Sequence, residues 1–309
     1  MNSQTQKFLD VFNTIDFNRI KDHPNILIAA NFWEEERFLA AKVCYRLMRM
    51  LDDLIDNFKA ENKIITDDGS KHLKSEIDKW LRIIYDSNGN SSIGEELIKA
   101  VDRFIIPSWP LEAFAKSMIY DTDHNGFATI ESFIEYSFGA SVAPASIFVH
   151  LNSIRRVNGV YVNPLFDVKW ASTPCAFFSY IVHIIRDFQK DQMNNLNYFA
   201  DELIFKYGLT RESLREFAEG AAVNDKFRNL IRHYYALADN YRKKTNEVLQ
   251  SIQPLLEPRY KLSLEIIFNL YLMVFERIKI EDGSFTTKEL CPGTDEIKER
   301  VYDTILNFD

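Results

Sequence analysis

Cysteine is scarce in this chain of 309 residues: Cys44, Cys175 and Cys291 are odd in number and far apart. They supply neither a disulfide framework nor the paired spacing of a zinc site, and they suit a reducing compartment. Long apolar runs are missing too. No stretch reaches the roughly eighteen residues that a membrane span needs. Residues Met1 to Asn13 lack the basic start and apolar run of a signal peptide. A soluble, cytoplasmic protein is expected, its contact with a membrane at most peripheral. There is no basic block and the net charge is −8, which argues against nucleic acid as a partner. No Gly-rich dinucleotide loop, no repeat of fixed period and no alternating strand pattern of useful length is present.

What is present is helical periodicity along nearly the whole chain. Apolar positions recur at helical spacing from Asn25 to about Phe58, His72 to Tyr85, Ala171 to Gln192, Asp225 to Gln250 and Tyr260 to Ile280. No strong linker divides them. The expectation is an all-α chain, one domain over residues 1–309 with 1–24 as a lead-in, its helices surrounding a central cavity.

Two of these segments end in acids. Tyr45-Arg46-Leu47-Met48-Arg49-Met50-Leu51-Asp52-Asp53-Leu54-Ile55-Asp56 places Asp52 and Asp56 four apart, on one helix face with Arg49 and Tyr45. Ser179-Tyr180-Ile181-Val182-His183-Ile184-Ile185-Arg186-Asp187-Phe188-Gln189-Lys190-Asp191 repeats the arrangement with Asp187, Asp191 and Arg186. Acids at the end of an apolar helix oppose its dipole and are costly to bury. One Asp-x-x-x-Asp pair is ordinarily a solvated helix end. Two pairs, each after an apolar run and beside an Arg, point to a use beyond stability. Facing carboxylate pairs suit a hard cation such as Mg²⁺, which takes one or two carboxylates plus substrate phosphates.

Asp121-Thr122-Asp123-His124-Asn125-Gly126 opens like an EF-hand loop, but its twelfth position is Ser132 where the bidentate Glu belongs, and no second copy exists. It reads as a turn followed by Thr129 as a helix N-cap. The small-residue run Gly139-Ala140-Ser141-Val142-Ala143-Pro144-Ala145-Ser146 permits close approach by a ligand or by a neighbouring helix.

Taken together, these stretches resemble the squalene/phytoene synthase family of head-to-head prenyltransferases. Residues 45–56 resemble its first aspartate motif, an Arg followed by Asp-Asp-x-x-Asp. Tyr136 to Ala145 (YSFGASVAPA) resembles its Tyr and small-residue run, and Arg186 to Asp191 (RDFQKD) its second motif. Tyr198-Phe199 and Tyr271 match later aromatic positions. The resemblance implies the class I isoprenoid synthase fold and Mg²⁺-dependent, or alternatively Mn²⁺-dependent, condensation of two farnesyl or geranylgeranyl diphosphates to a squalene- or phytoene-type hydrocarbon. It implies Asp52, Asp56, Asp187 and Asp191 as metal ligands and Asp53 behind them. It further implies Arg49 and Arg186 against diphosphate charge, and Tyr45, Tyr136 and Tyr271 orienting the diphosphate or facing a cation. Three positions depart from the family pattern: His183 stands where Asn is usual, Tyr180 where Gln is frequent, and Lys190 where an acid is usual. These departures leave open a one-substrate terpene cyclase on the same fold, or a non-catalytic lipid- or partner-binding relative. The oligomeric state is not legible.

Overall fold

The protein is described from a computed structural model that covers residues 3–18, 25–62, 66–86 and 92–308. The first helices are α1 (Ser3–Phe12), α2 (Asn25–Ala30), α3 (Glu35–Glu61), α4 (Asp67–Asp86), α5 (Ser92–Arg103) and α6 (Trp109–Asp121). Helix α7 (Ile130–Ser137) runs through a π-helical turn, Phe138–Val142, into α8 (Ala143–Ser153). A hairpin of β1 (Arg155–Val157) and β2 (Val160–Val162) follows, then α9 (Val168–Arg186), α10 (Phe188–Met193), α11 (Asp201–Lys206) and α12 (Arg211–Ala218). The chain closes with α13 (Asp225–Ile252), α14 (Pro258–Arg277), α15 (Thr287–Leu290) and α16 (Thr294–Leu306).

The all-α expectation holds but for the hairpin, which no alternating strand pattern in the sequence announced. Its signal was local: Asn158-Gly159 takes φ values of +50° and +84°, the left-handed pair that a two-residue hairpin turn requires. The lead-in also contains more structure than expected. Helix α1 buries Phe8, Leu9 and Phe12, and Phe8 packs edge-on against Phe308 beyond α16, with ring centroids 5.7 Å apart. Residues 19–24 of that lead-in lie outside the described residues.

Helix α9 is the central element, packed against α8, α13 and α14. Its sequence explains the position: Ala171, Ala176, Phe177, Phe178, Ile181, Val182, Ile184 and Ile185 are all buried, an apolar surface too wide for a helix with one solvated side. Phe178 meets Phe268 and Phe275 of α14, while Phe177 stacks on Tyr241 of α13 at 4.9 Å. Helix α3 is held by a stripe of Ala40, Val43, Cys44, Leu47, Leu51 and Ile55 at three- and four-residue spacing. Glu35 and Glu36 in its first turn favour its dipole. Among the described residues, no helix is long and apolar enough to cross a membrane.

Gly139 explains how α6 approaches the π-helical turn. A Cβ there would lie 2.2 Å from the Ala113 carbonyl oxygen and 2.1 Å from Ser117 Oγ. This glycine serves helix packing, and the residues after it face inward instead.

Candidate active site

Helices α3, α8, α9, α13 and α14 enclose a cavity of about 780 Å³, in the upper part of the range for small-molecule sites. Eleven of the side chains singled out in the sequence border it: Tyr45, Arg49, Asp52, Asp53, Asp56, Tyr136, His183, Arg186, Asp187, Asp191 and Tyr271. From the small-residue run, Ala140, Ser141, Pro144 and Ala145 reach it. π-Helical turns are frequent at functional sites, and this one brings Ser141 against α9, where its Oγ donates to the Ala176 carbonyl at 2.9 Å.

The cavity is polar at one end and apolar at the other. The α3 acids lie in that helix's C-terminal half, and the second acid pair brackets the junction of α9 and α10. Asp187 is the junction residue (φ −91°, ψ 1°), so this pair spans a break where one continuous helix was expected. The turn is still closed, because the Asp191 amide donates to the Asp187 carbonyl at 2.8 Å. Toward the start of α9 the lining becomes Ala171, Ser172 and Cys175, joined by Val248, Leu249 and Ile252 of α13 and by Leu264, Ile267 and Phe268 of α14.

Electrostatics tie the acids into one neighbourhood. Desolvation, then the charge of Asp56, pushes the Asp52 carboxyl up to about 8. Desolvation, then Asp121, pushes Asp56 up to about 6. Asp191 is raised well above the ordinary carboxylate range by desolvation, by Asp187 and by Asp56 across from it. By surface area the Asp52 side chain is about a third exposed (35%), because it faces the water-accessible hollow while protein surrounds it on the remaining sides. The cations are close by. Arg49 lies 3.4 Å from Asp52 and 2.5 Å from Asp53. Arg186 donates twice to Asp187, at 2.8 and 2.7 Å. Lys190 lines the same end.

Among the described residues, no three His, Cys, Asp or Glu side chains are arranged as a ready-made metal cage. The donors still suit a hard cation that arrives with its own oxygen ligands: they are carboxylates, they are crowded, and their mutual repulsion is incompletely neutralised. Asp52 with Asp56, and Asp187 with Asp191, would each give one or two oxygens.

Two residues escaped the sequence reading. Asp121, the first acid of the EF-hand-like stretch, is buried and forms an ion pair with Lys59 at 2.6 Å. It also accepts a hydrogen bond from the Tyr136 hydroxyl. The rest of that stretch is a structural clasp. Phe127 bridges to Ala200, the Asp201 amide donates to the Phe127 carbonyl at 2.9 Å, and Asp123 binds Ser70 and Lys74. Thr129 caps α7 as expected. The signal for Lys59 was its place three residues after Asp56, but an isolated Lys late in a helix normally just favours the dipole. Of the aromatic pair, Tyr198 lines the cavity, whereas Phe199 is buried against Phe188 and Tyr234.

Comparison with known proteins gives a consistent result. The squalene/phytoene synthase family profile matches residues 24–292. No curated protein sequence matches the chain. Among solved structures, a dehydrosqualene synthase in complex with ligand superposes with a TM-score of 0.66 at 15% identity, covering 96% of this chain and 98% of that one. Squalene synthase HpnC from Alicyclobacillus acidocaldarius gives 0.64 at 12% identity over 89% of this chain and 94% of that one. YisP from Bacillus subtilis strain 168 gives 0.60 at 12%, over 97% and 98%. At such identities the superpositions carry the fold.

Proposed function

The chain belongs to the squalene/phytoene synthase family, and on that premise we propose that it joins two prenyl diphosphates of fifteen or twenty carbons head to head, with Mg²⁺, to a C30 or C40 hydrocarbon. Family and fold already make it a head-to-head isoprenoid synthase of this type. The family generally depends on a divalent metal and uses prenyl diphosphates. The single observation that carries the finer reading is the joining of two acid pairs, with their cations, to a deep apolar recess in one cavity.

The chemistry follows from that polarity. A prenyl diphosphate would enter with its chain in the recess and its diphosphate at the acid end. Breaking the allylic C–O bond leaves a carbocation and a diphosphate anion. Arg49, Arg186 and Lys190 would take up the charge of the leaving group. The metal, held by Asp52 and Asp56 and by Asp187 and Asp191, would supply Lewis-acid stabilisation of that same group. The cation needs protection from water and a polarisable wall. Tyr180 and Tyr198 meet edge to face at 6.3 Å beside the acids, and Tyr271 packs edge-on to His183 at 5.1 Å. Such rings stabilise positive charge by their faces. The double bond of the second prenyl unit attacks that cation, and loss of a proton to the released diphosphate closes the ring of a cyclopropylcarbinyl diphosphate. Its ionisation releases the second diphosphate, and loss of one more proton from the rearranged cation leaves the linear hydrocarbon. Phe177 and Phe178, which pack into the core, have no part in this.

The test is incubation of the purified protein with C15 or C20 diphosphate and Mg²⁺, followed by gas chromatography and mass spectrometry. A linear C30 or C40 hydrocarbon is expected. A cyclic product of one substrate would replace this reading with a terpene cyclase, and an unchanged substrate pool would remove it.

A further inference from the structure

Behind the acid face, three buried polar side chains from three elements are joined to one another, and the last of them, Tyr136, also meets the Tyr180 hydroxyl of α9. Lys59 belongs to α3, Asp121 ends α6 and Tyr136 lies in α7. Their exposures are 5%, 7% and 5%. Lys59 Nζ donates to Asp121 Oδ1 at 2.6 Å, and the Tyr136 hydroxyl donates to Asp121 Oδ2. The backbone of Tyr136 is held as well, its carbonyl accepting from Ser117 Oγ at 2.9 Å. Burying such an ion pair is weak evidence for stability, since apolar residues of similar size usually do as well. The arrangement therefore calls for another reason, and Tyr136 supplies one by lining the cavity.

A phenol has one proton to donate. Here that proton goes to Asp121, so Tyr136 has only oxygen lone pairs left for the side that holds Tyr180 and the cavity. We propose that Lys59 and Asp121 are positioning residues for the reaction: they lock Tyr136 with its proton turned away from substrate, so that its oxygen meets developing positive charge as a fixed dipole. Lys59 neutralises Asp121, and Asp121 fixes the direction of the hydroxyl. Burial and the Asp121 charge hold the phenol well above the usual tyrosine range, so it acts as a neutral dipole. A preorganised dipole aimed at a forming charge needs no reorganisation during the reaction. The inference rests on the functional reading above.

Asp121→Asn tests it with little change of shape. Lys59 has only donors, so it keeps the amide oxygen and turns the amide NH₂ toward Tyr136. The phenol must then turn its proton away from residue 121, toward Tyr180 and the cavity. The expected result is a fall in kcat of about 10²-fold, with KM little changed. Tyr136→Phe should also lose activity, and Asp121→Asn added to Tyr136→Phe should cost nothing more, because no hydroxyl remains to turn. If Asp121→Asn does not fold, Lys59→Met with Asp121→Leu removes both charges together and leaves neither unpaired. That pair should fold, by thermal unfolding, and lose a similar factor. Wild-type kcat in either folded variant, or losses that multiply in the Tyr136→Phe background, overturns the proposal while the functional reading stands. A wild-type protein that releases no diphosphate from either substrate removes both.

Discussion

Asp52 and Asp56 are held against their own preference. Both carboxyls are pushed up, to about 8 and about 6, by desolvation and by acidic neighbours. A carboxyl with a raised value in the folded state holds its proton more tightly there than in the unfolded chain. The contribution of these two carboxyls to the stability of the metal-free protein is therefore full at low pH and is lost as pH rises from the ordinary carboxylate value toward 8. Asp52→Asn should flatten that dependence, so with chelator at pH 8 the variant should unfold at a higher temperature than wild type. Calorimetry at pH 5 and pH 8 checks this, and equal Tm values at pH 8 would count against the crowded-acid picture. Turnover should move the opposite way. Asp52→Asn and Asp187→Asn should each lose on the order of 10²–10³-fold in diphosphate release while remaining folded. His183 belongs to the same scale. An imidazole is a poorer partner than an amide oxygen for Mg²⁺. His183→Asn should lower the Mg²⁺ concentration for half-maximal release, and a metal titration reads this directly.

Among the elements, what was legible in the sequence was whatever repeated locally. The acid pairs, the Thr129 cap and the long helices α3, α9, α13 and α14 all follow from spacing along one segment. The break at Asp187 was invisible because the i, i+4 pattern continues through it. The hairpin left no alternating pattern because its strands are three residues each, although Asn158-Gly159 was its marker. Asp121 and Lys59 lay beyond reach for a different reason: they are 62 positions apart, and only the fold joins them. Gly139 had two readings in the sequence, ligand approach or helix packing, and the closeness of α6 decides for packing. Gly139→Ala should therefore destabilise the protein, by about 1–3 kcal/mol, through a clash with the Ala113 carbonyl and Ser117. Urea unfolding measures it, and an unchanged midpoint would mean that α6 yields easily.

At the scale of the whole molecule, the proposed reaction makes the cavity a ruler with a charged end. Helix α9 spans it, with Arg186 at the acid end and Ala171 fifteen residues earlier, about 22 Å along the axis at 1.5 Å per residue. Its first residues are joined by Ile252 and Leu264 at the greasy end. Substrate length should thus be set by small side chains far from the chemistry. Ala171→Phe should shift preference toward the shorter prenyl chain, read as the ratio of kcat/KM values for the C15 and C20 diphosphates, and leave the metal requirement alone. The central claim is that this one cavity removes diphosphate from two prenyl chains and joins them. The most direct test is the stoichiometry of a single reaction: diphosphate released, measured against hydrocarbon formed, in the presence of Mg²⁺. The account predicts two diphosphates per hydrocarbon. One diphosphate per hydrocarbon, or a ratio of two that survives Asp52→Asn combined with Asp187→Asn at undiminished rate, would contradict it.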